Sequence, residues 1–266
     1  MHPNISKWWQ TIKISWSKTL TYRVNFLMQI IGPALVFFFI KYNLWNSIYA
    51  GDESTVIAGY RFPEMITYHV WTLVVGLVGI SNNSAGISEE IRLGKISSYL
   101  IYPFNFWEFH TASFLAFEVI QYLVASITLV ILFYIGVLPD VSALHTVLGF
   151  IFCFFVACFW FSMQFIVGLI AFWLNETWSI RIILITLTSF LSGYLIPLEL
   201  YPSWLTDILA YTPFPYLSFY PVKIFMGDTT HFFSGLAILI GWSFVSFFVG
   251  SLIFKKGVRL YTAAGM

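Results

Sequence analysis

The sequence predicts an all-α integral membrane protein, and two observations carry that class. Hydrophobic residues make up 59% of the 266 positions, charged residues only 9%, and the mean hydropathy is +0.83. Soluble domains carry about 25% charged residues, so a soluble surface of this size would lack the groups needed to face water, whereas a lipid-facing surface needs almost none. The second observation is that apolar runs of the roughly 20 residues needed to cross a bilayer recur along the chain. Six are found, at about 24–45, 62–80, 111–137, 144–174, 181–197 and 231–254. The aromatic share of 21% serves both lipid-facing surface and interfacial anchoring.

Ahead of the first span, residues 6–23 interleave Lys7, Lys13, Lys18 and Arg23 with Trp8, Trp9, Trp16 and Leu20. That pattern suits a helix lying in the interface, or a positive flank that orients the first span. No small-residue cleavage site follows at signal-peptide distance, so a cleaved leader is not expected. The first two spans hold Lys41, Glu64 and His69 towards their outer ends, where long side chains snorkel. The fourth run is long enough to tilt or extend into water. The fifth is short and ends among Gly193 and Pro197.

Orientation follows from the basic residues. With the N-terminus inside, the cytoplasmic set is Lys7, Lys13, Lys18, Arg23, Arg92, Lys95, Arg181, Lys255, Lys256 and Arg259, against Lys41, Arg61 and Lys223 outside. Asp52, Glu53, Glu64, Asp140, Glu199, Asp207 and Asp228 fall outside. Both termini are therefore expected in the cytoplasm.

Two connections stand out. The cytoplasmic one, 81–110, predicts a short amphipathic helix over 88–101. Ser88 stands as its cap, Glu89 and Glu90 lie in its first turn, Ile87, Ile91, Tyr99 and Leu100 offer apolar contact, and Pro103 is its stop. Such a helix is either a docking element for a soluble partner or a solvated loop. The external one, 198–228, is too apolar for a solvated loop, yet Pro197, Pro202, Pro213, Pro215 and Pro221 break any continuous span. It predicts a re-entrant helical hairpin, which must be sheltered by protein or line a cavity.

No G-x-x-x-x-G-K-[ST] loop occurs, so the chain does not hydrolyse ATP by that route. Neither H-E-x-x-H nor G-x-S-x-G is present, and His2, His69, His110, His145 and His231 are scattered. No metal site and no catalytic residue is expected, and the net charge of +1 speaks against a nucleic-acid partner. Cys153 and Cys158, five residues apart in an apolar run, read as packing residues. Within the spans the clearest ionisable group is Glu118, beside Gln121, with Arg181 as its candidate ion-pair partner. The array of intramembrane carboxylates and paired broken helices of an ion-coupled carrier is missing. A carrier or channel, and a non-transporting membrane scaffold, remain alternatives.

Three stretches carry a family resemblance. They are Glu89-Glu90-Ile91-Arg92-Leu93-Gly94-Lys95-Ile96 with Tyr99-Leu100 and Pro103; Ser192-Gly193 with Ile196-Pro197-Leu198, Tyr201-Pro202, Trp204-Leu205, Pro213-Phe214 and Pro221; and Gly257-Val258-Arg259-Leu260-Tyr261 with Gly265. In that order and topology the chain resembles the ABC-2-type permeases, specifically the short ones with a single six-span unit. The resemblance implies one permease domain over 1–266 in the cell (inner) membrane. Glu89 to Leu100 would be the coupling helix seated on an ATP-binding subunit, with Glu89, Glu90, Ile91, Arg92, Leu93, Gly94 and Lys95 as coupling residues. Gly193, Pro197, Pro202, Trp204, Pro213, Phe214, Pro215 and Pro221 would form the external gate. It further implies two ATPase copies, which hold the ATP and Mg, and a second permease, identical or homologous. Membrane lipid surrounds the assembly, and the expected activity is export of a hydrophobic or amphipathic substrate, lipid or drug-like.

Overall fold

The computed structural model describes residues 3–21, 23–50, 52, 54–79, 84–101, 105–138 and 142–263. The side chains of Lys18, Arg23, Leu100 and Tyr261, and the residues His2, Glu53, Pro103, Asp140 and Gly265, lie outside that description. Eleven α-helices account for most of the described residues, and only an isolated bridge between Ile57 and Tyr60 has β pairing. They are α1 (Pro3–Thr21), α2 (Arg23–Ile48), α3 (Phe62–Gly79), α4 (Ser84–Arg92), α5 (Ile96–Ile101), α6 (Phe106–Tyr134), α7 (Ala143–Leu169), α8 (Trp178–Leu191), α9 (Ser203–Leu209), α10 (Phe219–Phe225) and α11 (Phe232–Ala263). Among the described residues three helical stretches are long and apolar enough to cross a membrane, at Phe106–Tyr134, Ala143–Phe172 and Phe232–Leu260.

Helix α7 is the central post. Within its most apolar window 61% of residues are buried, against 28% in α6 and 17% in α11. Helices α3, α4, α10 and α11 all pack on it. Lipid tails are as apolar as leucine, so close packing rather than hydrophobic exclusion holds such helices together. Small residues on one element receive large ones from the next. Gly235 of α11 lies under Phe152 and Tyr216, and Gly149 of α7 lies under Phe225 of α10. Helix α6 meets α7 differently, through faced aromatic rings: Phe114 stacks on Phe161 at 4.5 Å and Trp107 on Phe165 at 3.9 Å.

Several expected boundaries move, each for a local reason. Helix α6 starts at Phe106 rather than 111, because Asn105 and Glu108 close a capping box. Helix α8 stops at Leu191, short of 197, since Gly193 turns left-handed with φ +79°. Its 14 residues reach only about 21 Å at 1.5 Å per residue. Helix α11 runs past 254 without a break through Lys255 and Lys256. The helix expected over 88–101 is two helices, α4 and α5, separated by a turn at Leu93–Lys95. Ser88 is not its cap; it lies inside α4 and its hydroxyl donates back to Ala85 O at 3.0 Å. Helix α1 packs along α6, where Trp16 Nε1 donates to Ala116 O at 2.7 Å.

Candidate functional site

The sequence singled out three groups of residues, which the fold places at opposite poles of the bundle and at one point between them. At the first pole, α4 is held by its apolar stripe. Ile87, Ile91 and, after the turn, Ile96 are buried in one cluster with Phe106, Phe114, Phe161, Phe165 and Leu169. Glu89, Arg92, Leu93 and Lys95 are exposed on the other side. The helix ends in a Schellman motif: Lys95 N donates to Glu90 O at 2.9 Å and Gly94 N to Ile91 O at 3.1 Å, with Gly94 at φ +74°. That reversal is what presents Leu93, 57% exposed, at the tip.

Arg92 Nη1 meets Glu176 Oε1 at 2.7 Å, tying α4 to the link between α7 and α8. A groove of about 220 Å³ lies between them, lined by Ser88, Glu89, Arg92, Glu176, Trp178 and Arg181 among others.

Glu90 does not share this outward face. Its Oε2 accepts from Tyr99 OH at 3.0 Å and lies 3.2 Å from Nε2 of His110 on α6. Burial works to raise the Glu90 carboxyl, but His110, Tyr99 and Lys95 outweigh it and hold the group below the usual carboxylate range. Burial, then the Glu90 charge, pushes the Tyr99 phenol up. The signal was present in the spacing. At about 100° per residue, Glu90 falls at the edge of the Ile87–Ile91 stripe, and Glu89 falls opposite it.

At the other pole, the segment after α8 is fastened to α2 and α3 by polar contacts. Tyr68 OH donates to Gly193 O at 2.6 Å and Lys41 Nζ to Leu195 O, while Phe219 N, donating to Ser192 O at 2.9 Å, closes the segment on itself. Lys41 is therefore buried in a contact rather than snorkelling to the interface. His69 is likewise enclosed, its Nε2 accepting from Trp45 Nε1 at 2.6 Å. Glu199 joins two partners at one oxygen, Tyr60 OH at 3.0 Å and Lys223 Nζ at 2.7 Å. Lys223 also sits over the rings of Tyr60, at 4.8 Å, and Phe219, at 5.5 Å. Burial, with Glu199 next, raises the Tyr60 phenol. No short-range pattern could reveal this cluster, because Tyr60 and Glu199 are 139 residues apart.

The residues expected of a gate divide between inside and outside. Gly193, Pro197, Pro213, Pro215 and Pro221 are buried, Phe214 half-buried, and Pro202 and Trp204 exposed. Pro221 stands in the first turn of α10, where its missing N–H costs nothing. Phe225 closes the segment onto the bundle, stacked on Trp71 at 4.5 Å and 6°.

Between the poles, Glu118 is 3% exposed on α6. It does not pair with Arg181. Both carboxylate oxygens lack a hydrogen-bond partner, as does Arg181 Nε. The physical reason is depth. Arg181 lies in the first turn of α8 beside the groove, whereas Glu118 lies about 18 Å along α6 at 1.5 Å per residue and faces Tyr122, Cys153 and Cys158. Gln121 beside it turns to α3, with Nε2 donating to Leu77 O at 2.6 Å. Among the described residues no three His, Cys, Asp or Glu side chains gather as a metal site.

Comparison with known proteins adds one match: a family model described as ABC-2 family transporter protein covers residues 24–265. No curated protein matches the chain.

Proposed function

The chain belongs to the ABC-2 transporter family, and from that premise we propose that it is the permease subunit of an ATP-driven exporter, docked to its ATPase through the outward face of α4. The observation that carries this reading is the division of α4 into two faces. Ile87 and Ile91, with Ile96 after the turn, anchor it, while Glu89 and Arg92 on α4 and Leu93 and Lys95 in the turn are exposed, Arg92 being paired with Glu176. An anchored helix with an apolar tip and charges of both signs suits a groove on a soluble partner.

The same reading assigns the rest. Helices α2, α3, α6, α7, α8 and α11 are the six spans. The α4 pole and both termini face the cytoplasm, and α9 and α10 form the external re-entrant cap. Two permeases, identical or related, work with two ATPase subunits that hold ATP and Mg. Closure of the ATPases moves α4, and the permeases rock between states as rigid bodies. The substrate is hydrophobic or amphipathic, a lipid or a drug-like molecule, in keeping with the apolar faces of α8 and α11. The location is the cell membrane.

The test is co-purification of the full-length chain with its ATPase. Arg92→Glu and Leu93→Asp should each lower recovered ATPase by at least about tenfold, the loss expected from roughly 1.4 kcal/mol. Recovery unchanged in both would sink the docking face. Transport by the chain alone in liposomes without ATP, abolished by Glu118→Gln, would instead establish the ion-coupled reading, for which the unpartnered carboxyl of Glu118 speaks.

A further inference from the structure

Glu90 belongs to the same short stretch as the docking residues, yet it points into the protein. Its side chain is 23% exposed and that of His110 11%. The contact between them joins α4 to α6 directly, bypassing the turn at Leu93–Lys95, helix α5 and residues 102–104. The His110 ring is fixed by its neighbours, with Phe106 edge-on at 4.4 Å and Phe165 at 5.9 Å. Tyr99 makes the aligned hydrogen bond to Glu90 Oε2, and His110 Nε2 makes the electrostatic contact at the same oxygen. Charge interactions in such a water-poor setting are stronger than at the surface.

The other ties from α4 are the ion pair of Arg92 with Glu176, at its exposed end, and an apolar contact. Ile87 and Ile91 rest in the ring-filled cluster where α7 meets α6. Packed apolar surfaces resist compression but offer little directional resistance to being drawn apart or slid. The hydrogen bond from Tyr99 to Glu90, with His110 Nε2 3.2 Å from the same oxygen, is directional and resists both. A displacement of α4 along the bundle is therefore passed to α6 at His110, one turn inside the helix, as well as to α7.

We infer that His110, together with Tyr99, is a positioning residue that grips Glu90 and transmits movement of the docking helix into α6. This rests on the permease reading and deepens it: Glu90 leaves the docking set and becomes the inner end of a strut.

The experiment uses the full-length chain in nanodiscs and proteoliposomes with the ATPase that co-purifies with it. Three variants are compared: Glu90→Gln, His110→Gln, and the exchange of both, Glu90→His with His110→Glu. Each single change should leave ATPase recovery within about twofold of native, while transport per ATP hydrolysed falls about tenfold, the effect of one charge-assisted contact. The exchange should restore at least half of the native ratio, which a residue that merely fills space would not do. Loss of the ATPase in the single variants would return Glu90 to the docking surface and overturn the inference, as would an unchanged transport ratio.

A second readout needs no ATPase. Amide exchange across 84–101 should speed up about tenfold in His110→Gln and recover in the exchange variant. Unchanged exchange there overturns the strut even if docking holds. Accelerated exchange in a chain that binds no ATPase would uphold the strut and defeat the permease reading instead.

Discussion

Gly149 offers the sharpest test of how the segment after α8 is held to the bundle. A Cβ built there would lie 2.4 Å from Cε1 of Phe225 and 2.6 Å from its Cδ1 and Cζ. Phe225 has no room to yield, since it is 4% exposed, stacked on Trp71 and edge-on to Phe150 at 5.7 Å. In Gly149→Ala the ring must leave its stack. Overpacking of this kind costs about 1–3 kcal/mol, and the lost stack adds about 0.5–1.5 kcal/mol. Alanine returns about 1 kcal/mol through helix propensity in α7. The net is a destabilisation of about 0.5–3.5 kcal/mol. Gly241 in α11 is the control, because a Cβ there meets nothing within 4 Å. Gly241→Ala should be neutral or slightly stabilising. The assay is thermal unfolding of the purified chain in one detergent, with Gly149→Ala repeated in a Phe225→Ala background, where the clash is gone and the propensity gain remains. If Gly149→Ala melts with Gly241→Ala, or costs as much without Phe225 as with it, the packing argument fails.

Gly193→Ala should be more severe, because φ +79° costs a side chain about 1–2 kcal/mol and the new methyl would lie 3.0–3.2 Å from Phe219, Tyr68 OH and Leu198. Loss of folded protein in size-exclusion yield is the measure, and native yield would refute it. Glu199→Gln and Lys223→Met made together should cost less, by melting temperature, than the sum of the two alone, since each single change strands one half-buried partner; strict additivity would show that the two groups do not interact. Acidification should loosen 84–101. A carboxyl held below its ordinary 4.5 contributes stability above that pH and loses it as pH falls through the lower folded value. Exchange in this stretch should be flat, once corrected for intrinsic rates, from neutral pH to about 4.5 and rise below it. Glu90→Gln should remove that rise, the groups facing Glu90 being Tyr99, His110 and Lys95; a rise that persists in the variant would assign it elsewhere.

How much was legible depended on whether the deciding interaction was local. Apolar run length locates the three described helices that are long and apolar enough to cross a membrane, because that property is summed along the chain. It misplaced their ends. The apolar run begins at Thr111, whereas α6 begins at Phe106, where Asn105 and Glu108 spell a capping box. The run through Leu195 and Ile196 looks continuous with α8, yet Gly193 turns it away. Nothing in hydropathy marks that turn, whereas the glycine does. The coupling residues are implied by the family resemblance, and the spacing of Ile87 and Ile91 separates the exposed Glu89 and Arg92 from the inward Glu90. Opposite charge and a shared nearness to the inner ends of their spans suggest a pair of Glu118 with Arg181, but how far Glu118 lies along α6 relative to α8 is fixed only by the packing. The Tyr60–Glu199–Lys223 cluster and the burial of Lys41 depend on which elements meet, and sequence distance holds no record of that.

The faced rings between α6 and α7 have a mechanical consequence. Flat pairs such as Phe114 on Phe161, 18° from parallel, and Trp107 on Phe165, 19° from parallel, have no ridge to cross when one slides over the other. The grooves at Gly149 and Gly235, by contrast, each key a ring into a notch in the opposing backbone. The ring seam is pinned at one point, where Tyr122 OH on α6 donates to Phe150 O on α7 at 2.8 Å. Gln121 Nε2, donating to Leu77 O at 2.6 Å, pins α6 to α3 nearby. Shear of α6 past α7 therefore meets little resistance from the flat rings and is checked at these two bonds, while α1 follows α6 through the bond from Trp16 to Ala116.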